Sequence, residues 1–358
     1  MRSGRQSISH LRFMAFLHLT LISNTLNNSL ISIIMPAKNA GRFIASCIET
    51  IVNQTFLNWE LIVVNDHSTD NTFKIASNYS ANDKRIKIVE NKGIGIIDAL
   101  QTGFSYASGD FITRMDADDL MTEDKLQTMH DQLKQNGEGY IATGAVHYFS
   151  ETSLGEGYKK YANWLNELTA KGNNFTEIYK ECVIPSPCWM IHRKDFIKCD
   201  GFNSPIYPED YDLTFRFYKN KLKVIPSTKI LHHWRDYSTR TSRTDDNYSD
   251  NTFLPLKCSY FLKLDYQPTK ELYLWGAGKK GKEIAKILIE NKIDFKWICN
   301  NPNKIGKEIY GQKLAPVDYS NSLSNSQIIV AFAEGRVKVI DYFIKLQKIK
   351  NEDYFLFC

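Results

Sequence analysis

A chain of 358 residues, 43% hydrophobic and 24% charged, has the make-up of a soluble globular protein rather than a disordered or membrane-spanning one. That length has room for two domains, because one core rarely outgrows roughly 250–300 residues. The formal charge of +5 suits an anionic substrate, a membrane surface or simply solvent, and by itself does not suggest nucleic-acid binding.

The chain opens with Arg2 and Arg5 before an apolar patch, Leu11 to Ile22, that Arg12 and His18 interrupt. The patch is too short and too polar for a membrane helix, which needs about 20 apolar residues, and it lacks a clear small-residue cleavage site. Residues 1–29 are therefore read as a disordered or interfacial extension, or as an upstream start. The seven cysteines are scattered and form no CxxC pair, so neither a disulfide framework nor a zinc site is indicated. A reducing cytosol is the simplest compartment.

From Leu30 onward strand and helix signals alternate. Leu30–Met35 is a continuous apolar run ending at Pro36, as a buried parallel strand reads. Gly41–Asn53 carries Phe43, Cys47, Ile48, Ile51 and Val52 at helical spacing. Glu60–Asn65 is a second buried strand, followed by a Ser/Thr/Asp turn and a helix through Phe73, Ala76 and Tyr79. Arg85–Val89 is the third strand, Ile96 to Ala107 a helix, and Phe111–Met115 the fourth strand. A helix through Leu126, Met129 and Leu133 precedes a strand over Tyr140–Phe149. Such alternation implies βαβ crossovers and an open, mostly parallel α/β sheet. Residues 151–265 are less regular and rich in aromatics. After Gln267-Pro268-Thr269 a second, smaller α/β unit begins with the strand Glu271–Trp275.

In an open α/β sheet, ligands gather outside the carboxyl ends of the strands. Those ends are Pro36-Ala37-Lys38-Asn39, Asn65-Asp66-His67-Ser68 and Met115-Asp116-Ala117-Asp118-Asp119. Two carboxylates one residue apart on a turn can present oxygens to one hard cation, Mg²⁺ or Mn²⁺, which keeps open positions for phosphate. A DxD triplet alone is as readily a solvated turn. Its place at a strand end is what favours function.

The segment from Ile31 to Thr72, followed by Gly109-Asp110-Phe111-Ile112-Thr113-Arg114-Met115-Asp116-Ala117-Asp118-Asp119-Leu120, resembles the amino-terminal half of family 2 inverting glycosyltransferases. The resemblance covers about residues 30–245 and implies a GT-A fold, a Rossmann-like sheet that binds a nucleoside diphosphate sugar. It implies that Pro36, Ala37 and Asn39 line the nucleoside pocket and that Asp66 accepts a hydrogen bond from the base. The family shows Asp-Asp-Gly-Ser where this chain has Asn65-Asp66-His67-Ser68. It further implies that Asp116 contacts ribose or metal and that Asp118 is the principal metal ligand, with Ala117 between them. Asp119 reads equally as a helix cap. Arg114 is positioned to offset diphosphate charge, or is an exposed strand arginine.

An acceptor hydroxyl needs a group to take its proton. Tyr207-Pro208-Glu209-Asp210-Tyr211-Asp212 resembles the family's Glu-Asp motif, which implies Asp210 as general base with Glu209 beside it in the acceptor pocket. The pair lies about 95 residues beyond the acidic turn, within the family's interval, although it also fits the N-terminal cap of a helix over Leu213–Tyr218. In-line attack would invert the anomeric centre, as one-base geometry does in inverting hydrolysis. Between His232 and Arg243 lies a third patch: His233 as a candidate metal ligand, Trp234 to stack on sugar, and Arg240 and Arg243 to clamp phosphate. For each of these a structural role is an equal alternative.

Gly276, Gly278 and Gly281 fit a GxGxxG phosphate loop directly after a strand. The next strand, Phe295–Cys299, ends in Asn300-Asn301 rather than a ribose-binding carboxylate, so no NAD is expected for catalysis. The unit resembles small Rossmann-like domains appended to bacterial polysaccharide glycosyltransferases, implying a regulatory, nucleotide-sensing or assembly role, including oligomerisation.

The expected organisation is an extension over 1–29, a catalytic domain over 30–245, a helical linker over 246–267 and an accessory domain over 268–358. The expected activity is metal-assisted transfer from a nucleoside diphosphate sugar, expected to be UDP-linked, to a hydroxyl of a cell-surface glycan or lipid-linked acceptor. Cytoplasmic residence, with peripheral contact at the inner face of the plasma membrane, follows. The amphipathic stretch Phe253–Leu264 would serve that contact or pack between domains. The alternatives are a nucleotidyltransferase, disfavoured by the lack of an early Gly-rich basic loop, a non-catalytic sugar-nucleotide sensor, and an oxidoreductase acting through the terminal domain.

Overall fold

The computed structural model describes residues 29–151, 155–244, 253–317, 323, 325–333 and 335–358. Residues 1–28 of the expected extension and 246–252 of the expected linker lie outside the described residues. The chain divides into two compact units. The first takes the chain up to Ala142, with Pro187–Lys198 and Ile230–Trp234; the second takes Thr143–Ser186, Cys199–Lys229 and Arg235–Cys358.

Strands β1 (Ile31–Ala37), β2 (Trp59–Asn65), β3 (Ile86–Glu90) and β4 (Phe111–Arg114) run parallel within the first unit. Next in chain order come β5 (Leu120–Met121), β6 (Tyr140–Thr143), β7 (Ala145–Ser150) and β8 (Trp189–His192). The first unit's sheet runs β3-β2-β1-β4-β8-β6, with β8 antiparallel to β4. Every residue of β2 is buried, and β1 is buried except at half-buried Pro36. A strand covered on both faces reads as a mainly apolar run, as these two do, with the buried Ser32 bonded to Glu60 at 2.8 Å. Helix Ile44–Val52 turns Ile44, Cys47, Ile48 and Ile51 inward. The register pairs Ala37 with Asn65 and Ile34 with Arg114, so three strand ends emerge along one edge of the sheet.

The second unit departs from the irregular region expected over 151–265. Glu156–Lys171 is a 16-residue helix that buries Ala162, Leu165, Leu168 and Thr169 and ends at Gly172, whose φ of 65° suits a left-handed cap. The strand expected over Tyr140–Phe149 is two strands, β6 and β7, interrupted at Gly144. In chain order β10 (Ile230–Asp236), whose residues Ile230–Trp234 are counted with the first unit, follows helix Glu209–Lys219 and β9 (Lys223–Val224), and the second unit continues with helix Leu254–Leu264. The last of these is a core element: Leu254, Leu256, Cys258, Tyr260 and Phe261 share one apolar cluster with Ile178, Tyr211, Phe215, Leu272, Phe355 and Phe357.

The carboxy-terminal part comprises β11 (Glu271–Trp275), helix Lys279–Glu290, β12 (Lys296–Cys299), the hairpin β13 (Glu308–Ile309) and β14 (Gln312–Lys313), β15 (Ala315–Pro316), β16 (Ser326–Val330), helix Arg336–Lys345 and β17 (Tyr354–Leu356). Its five-stranded sheet is parallel throughout, in the order β15-β12-β11-β16-β17. The strand order therefore reverses at β11, directly before the glycine loop. Among the described residues no helix is long and apolar enough to cross a membrane, and all seven cysteines are free.

Candidate active site

The ends of β1 and β2 are stitched together by hydrogen bonds. Asp66 N–H donates to Ala37 O at 2.8 Å, Asn39 N–H to Ser68 Oγ at 3.0 Å, and Thr69 N–H to Asn39 Oδ1 at 2.9 Å. Ala40 N–H donates to Thr72 Oγ1 at 2.7 Å and Gly41 N–H to Asp70 Oδ2 at 2.8 Å. Asp66 is buried at the base of this frame. Asn91 Nδ2 and Gly95 N–H donate to its Oδ1 at 2.6 and 3.0 Å, and Lys38 Nζ meets Oδ2 at 3.2 Å. Burial would push this carboxyl up, but those donors outweigh burial and hold it below the usual range. An ionised Asp66 is an acceptor with lone pairs left for one further donor. Beside it, His67 has a φ of 52°, the left-handed region that glycine enters freely and other residues seldom do. That geometry accounts for the family's glycine here. In this chain a contact of 2.8 Å between His67 Nε2 and Gly93 O accompanies it.

Past β4 the acidic run forms a turn closed by Asp119 N–H donating to Asp116 O at 3.2 Å. Its side chains alternate: Asp116 and Asp118 are half-buried, whereas Ala117 and Asp119 point into the core. Two carboxylates one residue apart are therefore left partly exposed at the strand end. Arg114 is not an exposed strand residue. It is buried, and its Nε donates to Asp116 Oδ1 at 2.9 Å. Asp119 caps no helix, since the following helix is Lys125–Asn136 with Asp124 at its N-cap. Instead Asp119 is fully buried against His232, with Oδ2 2.9 Å from Nε2. His232 Nδ1 lies 3.2 Å from Lys125 Nζ, which donates to Pro187 O at 2.6 Å.

Sequence reasoning missed Lys125 and His232. Burial pulls the Lys125 amine down, while Cys188, Asp119, Cys47 and Asp116 act in the opposite direction. Cys47 also stands behind the turn, with Sγ 3.4 Å from Asp116 O. Burial and then Asp119, Asp118 and Asp116 push its thiol well up, so it is no nucleophile.

In β10, His232 pairs with Met121 and His233 with Leu120. Neighbouring strand residues face opposite ways, so His233, half-buried, points away from the Asp119 side. Trp234 is only 8% exposed, which leaves little ring for stacking. Among the described residues no three His, Cys, Asp or Glu side chains converge as a metal cage. The donors at the turn are instead two half-buried carboxylates one residue apart. That set fits a hard cation such as Mg²⁺, which takes one or two protein carboxylates and fills its remaining positions with water and phosphate oxygens.

Glu209, Asp210, Arg240 and Arg243 belong to the second unit. Glu209 and Asp210 open helix Glu209–Lys219, where carboxylates complement the helix dipole. Asp212, in the same first turn, is committed to structure: Arg216 Nε donates to it at 2.8 Å and Tyr260 OH at 2.6 Å. Glu209 is buried and Asp210 half-buried, with Asp210 Oδ1 accepting Tyr211 N–H at 2.7 Å. Arg243 forks onto Asp236 at 3.0 and 2.8 Å, and Arg240 is half-buried.

In the glycine loop, Gly276 has a φ of 123°, and a Cβ on Gly281 would stand 2.1 Å from Gly276 O. The first and third glycines are thus required by backbone conformation and close packing. At Gly278 a Cβ would meet nothing within 4 Å. Asn300, at the end of β12, accepts the Trp275 indole N–H at 2.6 Å.

A parallel-rich sheet with three polar or acidic strand ends along one edge is the arrangement of a GT-A fold. The family model Glycosyl transferase family 2 matches residues 32–199. Glycosyltransferase GlyG of Streptococcus pneumoniae serotype 4 is 34% identical over 229 residues, covering 62% of this chain and 76% of GlyG. The chain belongs to glycosyl transferase family 2 and is an enzyme of that class. A UDP-Glc:alpha-D-GlcNAc-diphosphoundecaprenol beta-1,3-glucosyltransferase of Escherichia coli, WfgD, is 37% identical over 118 residues, 32% of this chain and 46% of WfgD. In fold, the chain resembles Staphylococcus aureus TarS 1–349 in complex with UDP-GlcNAc, with a TM-score of 0.51 and 17% identity over 66% of this chain and 68% of TarS 1–349.

Proposed function

We propose that this enzyme transfers a hexose-type sugar, with inversion, from a UDP-linked donor to a hydroxyl of a cell-surface glycan or lipid-linked acceptor. The observation that carries the donor half is the pair of half-buried carboxylates, Asp116 and Asp118, on the same sheet edge as Asp66. Pro36, Ala37 and Asn39 frame the nucleoside, and Asp66 accepts from the base. WfgD is named for a UDP-Glc donor and the TarS structure contains UDP-GlcNAc, which favours uridine. Asp118, with Asp116 shared between ribose and metal, would hold Mg²⁺ or Mn²⁺, while His233 is not drawn into a three-residue set with them. A bound cation supplies charge stabilisation to the departing diphosphate. Asp210 takes the proton of the attacking hydroxyl, with Glu209 beside it. Arg240 and Arg243 serve the diphosphate or acceptor, and the buried Trp234 is left a packing role.

The carboxy-terminal Rossmann-like part, residues 268–358, has a nucleotide-sensing, regulatory or assembly role. Work at the inner face of the plasma membrane suits a lipid-linked acceptor. A thermal-shift panel of nucleoside diphosphate sugars, each with and without Mn²⁺, tests the donor reading. A rise in Tm for UDP-sugars that requires the metal is the expected result, and no response to any member of the panel overturns it.

A further inference from the structure

Three ionisable side chains lie fully buried in one row behind the acidic turn: Asp119, His232 and Lys125, each 0% exposed. Burying charge is costly unless every group is paired and hydrogen-bonded. Here the row is connected from end to end. Lys125 Nζ donates to Pro187 O at 2.6 Å and meets His232 Nδ1 at 3.2 Å, and His232 Nε2 meets Asp119 Oδ2 at 2.9 Å.

The ends of the row fix the middle. An ammonium can only donate, so His232 Nδ1 accepts and its Nε2–H donates to Asp119. The imidazole is then neutral, passing polarity from a cation to a carboxylate. Four segments separated in sequence are joined this way: the turn after β4, the start of helix Lys125–Asn136, β10, and the residue two before β8. Gln54 braces the same corner, with Nε2 donating to Thr122 O at 2.7 Å and Oε1 accepting Leu126 N–H at 3.0 Å.

We infer that Lys125 and His232 are positioning residues for the donor site, fixing the turn so that the half-buried Asp116 and Asp118 already hold their places before a cation arrives. The inference rests on the reading of that turn as the metal and diphosphate site. Asp119 is anchored in the core, while Asp118, one residue back on the same turn, stays half-buried. The buried ammonium also supplies the positive charge that lets three carboxylates crowd into four residues. Partners that orient metal ligands typically change metal affinity about 10–100-fold when removed.

The test separates positioning from folding. UDP and GDP are titrated calorimetrically with and without Mn²⁺, and binding of uridine and guanosine is followed by NMR as a metal-independent control. In Lys125→Met and in His232→Leu, Mn²⁺-dependent diphosphate binding should fall about 10–100-fold, while nucleoside binding at the Asp66 end stays at the wild-type level. In His232→Gln, whose amide also accepts at one end and donates at the other, diphosphate binding should largely recover. Equal loss of nucleoside and diphosphate binding, no change in either, or failure of the Gln variant to recover would each overturn the inference. If Lys125→Met does not fold, the His232 pair alone decides between these outcomes. Absence of Mn²⁺-dependent diphosphate binding in the wild type would instead remove the donor reading, and the inference with it.

Discussion

The acidic turn after β4 and the glycine loop after β11 occupy equivalent stations, each at the carboxyl end of a parallel strand beside a reversal of strand order. They are built from different materials. At the turn the contacts are ionic and made by side chains: Arg114 with Asp116, and Asp119 with His232 and then Lys125. At the glycine loop the contacts fall on backbone: Trp297 Nε1 donates to Gly276 O at 2.8 Å and Lys304 Nζ to Ala277 O at 2.8 Å. The topological rule locates both places, but it does not decide what chemistry either performs; that depends on the side chains carried there.

The comparison breaks first at Asp118. Asp118→Asn should abolish metal-dependent binding of a nucleoside diphosphate and lower turnover on the order of 10³-fold or more. Unchanged calorimetric affinity with Mn²⁺ present would leave the turn with no more chemistry than the glycine loop. Asp210→Asn should keep donor binding and lose about 10²–10⁴-fold in transfer, the usual contribution of a general base. Full turnover in that variant removes Asp210 from the role.

On the glycine side the expected effects fall on stability. Gly281→Ala places a Cβ 2.1 Å from Gly276 O, a backbone atom that cannot swing aside, whereas Gly278→Ala meets nothing within 4 Å. The first should cost about 1–3 kcal/mol, read as a lower Tm, and the second close to nothing. Calorimetry of the full chain with NAD and UDP-sugars adds the functional arm: a ligand lost on Gly278→Ala, with Tm unchanged, would make this loop a binding site and narrow the contrast.

How much of this was legible in the sequence differs along the chain for physical reasons. The strands that end at Ala37 and Asn65 were readable because burial on both faces leaves an apolar run with few alternatives. Helix Glu156–Lys171 was missed although Ala162, Leu165, Leu168 and Thr169 recur at helical spacing, because Tyr158, Tyr161 and Trp164 on the same helix blur the pattern. The acidic turn was placed by its strand end. Its buried partners were not, since His232 lies 113 residues from Asp119 and 107 from Lys125, and no local pattern records such a pairing. The one available signal was alternation in β10, where His232 and His233 must face opposite ways. The role of His67 likewise needed the backbone, because its φ of 52° is what links it to the family's glycine.

The opposite ends of the two sheets sharpen the contrast at smaller scale. Glu60, second in β2, is buried and accepts from Ser32 Oγ at 2.8 Å, Ser108 Oγ at 2.8 Å and Lys87 Nζ at 2.9 Å. Glu271, first in β11, is exposed and meets Lys296 at 2.6 Å in open solvent. Burial pushes the Glu60 carboxyl up, but Lys87, Ser108 and Ser32 outweigh it and lower it from 4.5 to about 2. The folded value lies below the unfolded one, so the bound carboxylate stabilises the fold above pH 4.5 and loses that contribution as pH falls toward 2. Glu60→Gln should therefore cost about 2 kcal/mol at neutral pH, and its gap from wild type should close in acid. Glu271→Gln should shift stability by less than about 0.5 kcal/mol, because exposed pairs are screened. Denaturant titrations of both variants at neutral and acid pH measure the difference, and a pH-independent gap for Glu60→Gln would mean that its serine and lysine donors hold shape rather than charge.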